Sequence, residues 1–131
     1  MIDDESDVRD ATARLLTQWG CHVVAASDGD CAVRTYVASS PDAMIVDFRL
    51  GNGADGLETI ASLRARFGRA IPAVLVSGAS AAEELALIEA SGIPLLHKPL
   101  PPARLRSMLA HLLRVANTAD LTDVNTSALQ A

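Results

Sequence analysis

Five residues of this chain close short apolar runs with groups that can do chemistry. Asp3 and Asp4 follow Met1-Ile2, Asp47 follows Ala43-Met44-Ile45-Val46, Ser77 follows Ala73-Val74-Leu75-Val76, and Lys98 follows Pro94-Leu95-Leu96-His97. If those runs are neighbouring parallel strands, three carboxylates, a hydroxyl and an ammonium share one rim. Carboxylates crowded together repel and stay ionised only beside a cation. A hard ion such as Mg²⁺ takes oxygen ligands and keeps positions open for phosphate oxygens. A carboxylate can accept a phosphoryl group as a nucleophile, while metal and ammonium stabilise the charge on the transferring oxygens. The set therefore reads as phosphoryl transfer onto an aspartate, with Ser77 placed to donate to a phosphoryl oxygen. Lys98 stands out further as the one lysine beside ten arginines. A compact point charge on a slender stem reaches a crowded anion that a planar guanidinium does not.

Duller accounts exist for each residue. Asp3, Asp4 and Glu5 suit the positive end of a following helix, and Ser77-Gly78 suits an ordinary turn. His97 reads as a strand residue beside the site, His22 and His111 as surface residues, Cys21 and Cys31 as small core fillers, and Trp19 as a core anchor. It is the ordered set, more than any one member, that favours chemistry.

The elements that must position the set alternate along the chain. A helix is expected over Glu5 to Trp19, with Val8, Ala11, Leu15, Leu16 and Trp19 on one stripe. Ser6 or Asp7 would cap its start and Gly20 would end it in a left-handed conformation. A β-branched strand, His22 to Ala26, and a weaker helix, Asp28 to Ala38, follow; the helix turns Cys31, Ala32 and Tyr36 inward. The two continuous apolar runs before Asp47 and Ser77 read as strands buried on both faces of a parallel sheet. Between and after them come helices at Gly56 to Phe67, burying Leu57, Ile60, Leu63 and Phe67, and at Ala81 to Ser91, ending at Gly92. A short strand, Pro94 to His97, leads to a last helix opening at Pro101-Pro102 and burying Leu105, Met108, Leu109 and Leu112. This βα alternation is the pattern of a doubly wound α/β sheet, and in such sheets ligands bind beyond the carboxyl ends of the strands. Residues 115–131 lose periodicity and read as a polar tail or linker after one domain at 1–114.

Composition limits the alternatives. The 131 residues suit a single core, half of them are hydrophobic, and only four are aromatic, so the core is aliphatic. A net charge of −5 argues against direct nucleic-acid binding, which needs a basic face. Two cysteines without metal-ligand spacing read as free thiols of a reducing compartment. No signal peptide opens the chain and no apolar run reaches about 18 residues, so a cytoplasmic protein without membrane insertion is expected.

With Asp3-Asp4-Glu5, Asp47, Ser77-Gly78 and Lys98-Pro99 in this order and spacing, residues 1–113 resemble the receiver domain of two-component response regulators. The wording Asp47-Phe48-Arg49-Leu50, Asp55-Gly56-Leu57-Glu58 and Leu96-His97-Lys98-Pro99 is similar to receivers of hybrid sensor histidine kinases. The resemblance implies a flavodoxin-like (βα)5 sheet with strand order 2-1-3-4-5, the order that a receiver exemplifies. It implies Asp47 as the phosphoacceptor, with Mg²⁺ bound by Asp4, Asp47 and the backbone carbonyl of Arg49, and by Asp3 through water. Ser77 and Lys98 take the places of the family's hydroxyl and lysine, and Lys98-Pro99 is a bond often cis there. The donor would be a sensor histidine kinase or a histidine phosphotransfer protein. The protein would be a signalling domain that assists its own phosphorylation and dephosphorylation rather than an enzyme, with homodimer formation and membership of a hybrid kinase left open.

Three departures from the family pattern accompany the match. Only Met1-Ile2 stand where the family has a full first strand, so the recorded chain either begins late in a longer parent, or its fold is compromised or completed by another segment. Leu95 stands three before the lysine, where many members carry an aromatic switch residue. The loop after Asp47 reads Gly51-Asn52-Gly53, without the frequent proline and one residue longer. Two rival functions follow from the residues: a receiver-like interaction module that is never phosphorylated, and a Mg²⁺-dependent phosphatase with an aspartyl nucleophile. The phosphatase wants a second aspartate two after the nucleophile, where this chain has Arg49. A flavin binder fits least, because no Ser/Thr/Gly-rich phosphate loop follows a strand.

Overall fold

The computed structural model describes residues 1–35, 41–51, 55–78 and 82–114. Helix α1 (Ser6–Gln18) precedes α2 (Gly29–Thr35), β1 (Met44–Asp47), α3 (Gly56–Phe67), β2 (Ala73–Ser77), α4 (Ala82–Ser91) and β3 (Leu95–His97). A last helix, α5, covers 102–114. The three strands are parallel in the order β1-β2-β3, with Asp47 beside Val76 and Ser77 beside His97. On the free edge of β1, Ile2 forms a parallel bridge to Val46 on one side and to Ala26 on the other. The spatial order is thus the Ala26 segment, the Ile2 segment, β1, β2, β3, which is the expected 2-1-3-4-5 order in a flavodoxin-like fold.

Alternation along the strands sorts their side chains onto two faces. Met44, Val46, Ala73 and Leu75 join Ile60, Leu63 and Ile88 in one core cluster, so α3 and α4 cover that face. Ile45, Val74 and Val76 join Leu16, Leu105 and Leu112 in the other, under α1 and α5. Burial on both faces explains why these strands are continuous apolar runs.

Two expectations fail locally. His22 to Ala26 is not a strand, because only Ala26 pairs with Ile2. Its ladder is confined to Met1 N donating to Val24 O, Ala26 N to Met1 O and Asp3 N to Ala26 O, at 2.9, 2.9 and 3.1 Å. A strand forms only along as much neighbour as it has to pair with. Nor do Ser6 or Asp7 cap α1: Glu5 occupies the cap position without a side-chain bond, and the Asp3 carboxylate instead accepts from Glu5 N at 3.0 Å. The helix ends expected at Gly20 and Gly92 hold, and three further ends are seen only in the structure. Asp28 and Asp55 accept from Cys31 N and Glu58 N, each at 2.8 Å, and Gly20, Gly68 and Gly92 end helices with φ of 89°, 71° and 72°, where glycine alone escapes a Cβ clash. Leu57, Phe67, Met108 and Leu109 are only partly buried against the cores. Tyr36, Ala38, Asn52, Gly53, Ala81 and the 115–131 tail lie outside the described residues.

Candidate functional site

The rim assembles because each parallel strand ends at the same level. Lys98 N donates to Ser77 O at 3.0 Å, Asp47 N to Ile2 O at 2.9 Å and Phe48 N to Val76 O at 2.9 Å. These bonds bring Asp3, Asp47, Ser77 and Lys98 to one place from four separate segments. Asp3, Asp47 and Ser77 are buried and Asp4 is exposed. Lys98 Nζ lies 2.9 Å from Asp47 Oδ2 and 3.7 Å from Asp3 Oδ2. One carboxylate oxygen from each of Asp3, Asp4 and Asp47 falls within 4.8 Å of the others. The peptide bond between Lys98 and Pro99 is cis.

The electrostatics are uneven. Burial pushes the Asp47 carboxyl above its ordinary value, and Asp3 adds to this against the pull of Lys98. Burial opposes the Lys98 ammonium, yet contact with Asp47, backed by Asp3 and Glu5, outweighs it and raises Lys98. A simple ion pair would lower the acid as it raises the base. Here one ammonium faces two buried carboxylates, so the lysine is fully engaged while the acids are undersupplied with positive charge. An all-oxygen donor set with unbalanced negative charge suits a hard divalent cation such as Mg²⁺.

The loop after Asp47 is tied down at several points. Gly51 N donates to Asp4 Oδ2 at 3.0 Å, the backbone of Arg49 forms an isolated antiparallel bridge with that of Asp55, and Gly56 N donates to Phe48 O at 2.7 Å. Gly56 is a residue whose necessity sequence reasoning missed. A Cβ there would sit 2.6 Å from Asp47 O and from Leu75 Cδ2, so α3 can start against the acceptor strand only with glycine. Glu84 was also missed: it receives Arg49 Nη2 on Oε1 at 2.7 Å. No spacing rule links residues so far apart in sequence. The remaining candidates fall where the duller accounts put them. His97, His22 and His111 are exposed, Cys21 and Cys31 are free thiols packed beside the cores, and Trp19 is half-buried under the guanidinium of Arg106 at 5.6 Å. No described helix is long and apolar enough to cross a membrane.

A family model, the response regulator receiver domain, matches residues 1–110. The chain belongs to this family. It is 32% identical over 114 residues to the transcriptional regulatory protein PrrA of Mycobacterium tuberculosis, covering 87% of this chain and 48% of that protein. It is 31% identical over 123 residues to the response regulator MprA of Mycobacterium leprae, covering 93% of this chain and 53% of that protein. The chain thus spans about half the length of the curated relatives it matches. Among solved structures, NtrX from Brucella abortus in complex with ATP superposes with a TM-score of 0.80 at 25% identity, over 94% of this chain and 28% of that one. A CheY-like receiver domain protein from Methanospirillum hungatei gives 0.77 at 18% identity, over 90% and 94% of the two chains, a likeness of fold. Receiver domains are signalling domains of two-component systems, and that is the class of this protein.

Proposed function

We propose that Asp47 accepts a phosphoryl group from a phosphohistidine on a sensor histidine kinase or a histidine phosphotransfer protein, with Mg²⁺ present. The observation that carries this is the buried Asp47 held 2.9 Å from Lys98 Nζ, with Asp3 and Asp4 oxygens within 4.8 Å of its own. In the transfer an Asp47 oxygen forms a bond to phosphorus as the histidine N–P bond breaks, and the electron pair stays on the imidazole nitrogen. Asp4, Asp47 and the Arg49 carbonyl would hold the metal, with Asp3 acting through water; the metal would neutralise charge on the transferring oxygens. Lys98 holds the acceptor oxygen at rest and then follows the phosphoryl group. Ser77, at the end of the adjacent strand, would donate its hydroxyl to a phosphoryl oxygen.

The domain assists its own phosphorylation and hydrolysis rather than turning over a separate substrate. The phosphatase alternative loses ground because the position two after Asp47 holds Arg49, a cation that cannot serve as acid or base and is paired with Glu84. A donor carried on the same longer protein, as in hybrid kinases, would use the same chemistry. Since phosphohistidine is made from ATP, this reading places the domain in the cytoplasm. The net charge of −5 favours output through protein contact or onward phosphate transfer over direct contact with nucleic acid.

The test is incubation with Mg²⁺ and acetyl phosphate, followed by intact mass. One added phosphoryl group is expected in the unmutated chain and none in Asp47→Ala. A chain that gains none overturns this reading and leaves the interaction-module alternative.

A further inference from the structure

Beside the acid rim lies an apolar cleft that the phosphoryl chemistry does not use. Its volume is about 600 Å³, inside the roughly 300–1,000 Å³ range of small-molecule sites. Val8, Ala11 and Thr12 of α1 form one wall, Ile45 and Val76 of the sheet the floor, and Leu100 the opposite wall. Ala11 and Pro99 are exposed while Ile45 and Val76 are buried, so the cleft opens between α1 and the segment after β3. Ala11 and Thr12, both short, leave the room.

The inner end of the cleft is charged. Asp3, Asp47 and Lys98 line it, two buried carboxylates against one ammonium. The geometry leaves one oxygen short of a donor. Asp47 Oδ2 receives Lys98 Nζ at 2.9 Å, and Asp3 Oδ1 receives Glu5 N at 3.0 Å. Among the described residues Asp3 Oδ2 has only Lys98 Nζ at 3.7 Å, beyond hydrogen-bond reach. Yet the Asp3 side chain is only 4% exposed. A buried acceptor without a donor is unfavourable, and a buried charge more so. Arg9 does not supply the donor, since its Nη1 goes to the Asp3 carbonyl at 2.8 Å.

We infer that this cleft binds a small apolar molecule ending in a protonated amine, its ammonium on Asp3 Oδ2 and its body between α1 and Leu100. Charge selects the class. A neutral molecule of the same shape leaves the Asp3 charge uncompensated, and an anion adds to the excess of negative charge. The open oxygen stands beside Lys98, where a compact ammonium fits better than a planar guanidinium. The amine and a divalent cation draw on the same carboxylates, so each should weaken the other's binding by the same factor. That coupling rests on the Mg²⁺ role proposed above; the cleft and its ligand class do not.

The probe is phenethylamine, titrated into the full chain at neutral pH without metal. Binding is followed by calorimetry and by the methyl NMR signals of Val8, Ala11 and Leu100. Saturable one-to-one binding at millimolar concentration or below is expected, with shifts at those three residues. Phenethyl alcohol, neutral and of the same shape, should bind about tenfold more weakly or worse, the value of a charge-assisted hydrogen bond. Asp3→Asn should erase that preference. Ala11→Leu fills the cleft and should lose the binding, while its phosphorylation by acetyl phosphate matches the unmutated chain. Equal affinities of amine and alcohol for the unmutated chain, a preference that survives Asp3→Asn, or full binding by Ala11→Leu overturns the site. Amine affinity unchanged by saturating Mg²⁺ overturns the coupling. A chain that takes up no Mg²⁺ overturns the metal reading and leaves the amine site standing.

Discussion

β2 has a strand on either side and a helix layer on both faces, and Val74 and Leu75 are fully buried. Around Ile2 the same kind of parallel order is held by single bridges. There the packing opens into a cavity of about 490 Å³ lined by Trp19, Cys21, Val23, Val24 and Ile45, among others, and Met1 forms part of its wall. A second cavity of about 600 Å³, also walled by Met1, lies between Val8 and Ala11 of α1 and Ile45, Val76 and Leu100. Both regions deliver acidic groups to the same rim, Asp47 from one and Asp3 from the other. The difference shows that the site's geometry comes from backbone register, which a few bonds suffice to set, whereas its rigidity comes from packing, which only the β2 side supplies in full.

Truncations on the two sides should therefore differ widely. Leu75→Ala removes a fully buried side chain and is expected to cost about 2–5 kcal/mol in denaturant unfolding. Val23→Ala, half-buried beside a cavity, should cost less than about 1 kcal/mol, the range of changes without a packing consequence. Equal losses would break the comparison.

The metal should sharpen it, because a cation tying Asp3 and Asp4 to Asp47 links the open region to the packed one. Mg²⁺ at ten times its dissociation constant should raise stability by about 1.4 kcal/mol, read as a shift in thermal midpoint. Asp47→Asn should lose most of that shift and yet unfold a few degrees higher than the unmutated chain without metal. The sign follows from Asp47 being raised above 3.8 by burial. The native state then binds its proton more tightly than the unfolded chain, so metal-free stability falls as pH rises from that value through the native one. In Asp47→Asn this fall should flatten. Lys98 acts at the other end of the scale. Raised above 10.5, it contributes stability that is complete below that pH and is lost as pH rises through its native value.

The smallest expected effect compares helix starts. Asp55→Ala removes the side chain that caps α3 over β1 and should cost about 1 kcal/mol. Ser6→Ala at the start of α1, where no side chain caps, should stay within about 0.5 kcal/mol. A larger loss at Ser6 would mean that the α1 start is held more firmly than its bonds indicate.

Much of the fold was legible before any coordinates. The apolar runs at 43–46 and 73–76 and the glycines at 20 and 92 are local signals, because periodicity and left-handed φ depend on near neighbours. The α3 limits, Gly56 to Phe67, match the expected ones, because the helical spacing of Leu57, Ile60, Leu63 and Phe67 is itself a local signal. The segment 22–26 was misread because its β-branched residues state a preference that only a neighbour can satisfy.

By itself the sequence determined which groups stand at the strand ends, since strand length and side-chain chemistry are written in consecutive residues. It also determined the order of elements and, through the resemblance those motifs carry, the family. Only the tertiary structure decided that Lys98 faces Asp47 more closely than Asp3, at 2.9 against 3.7 Å. Nor could it be read in advance that Gly56 must be glycine beneath Leu75 and that Arg49 reaches Glu84. Those contacts join residues remote in the chain, and their distances are set by how helices seat on a twisted sheet, a property of the packed whole.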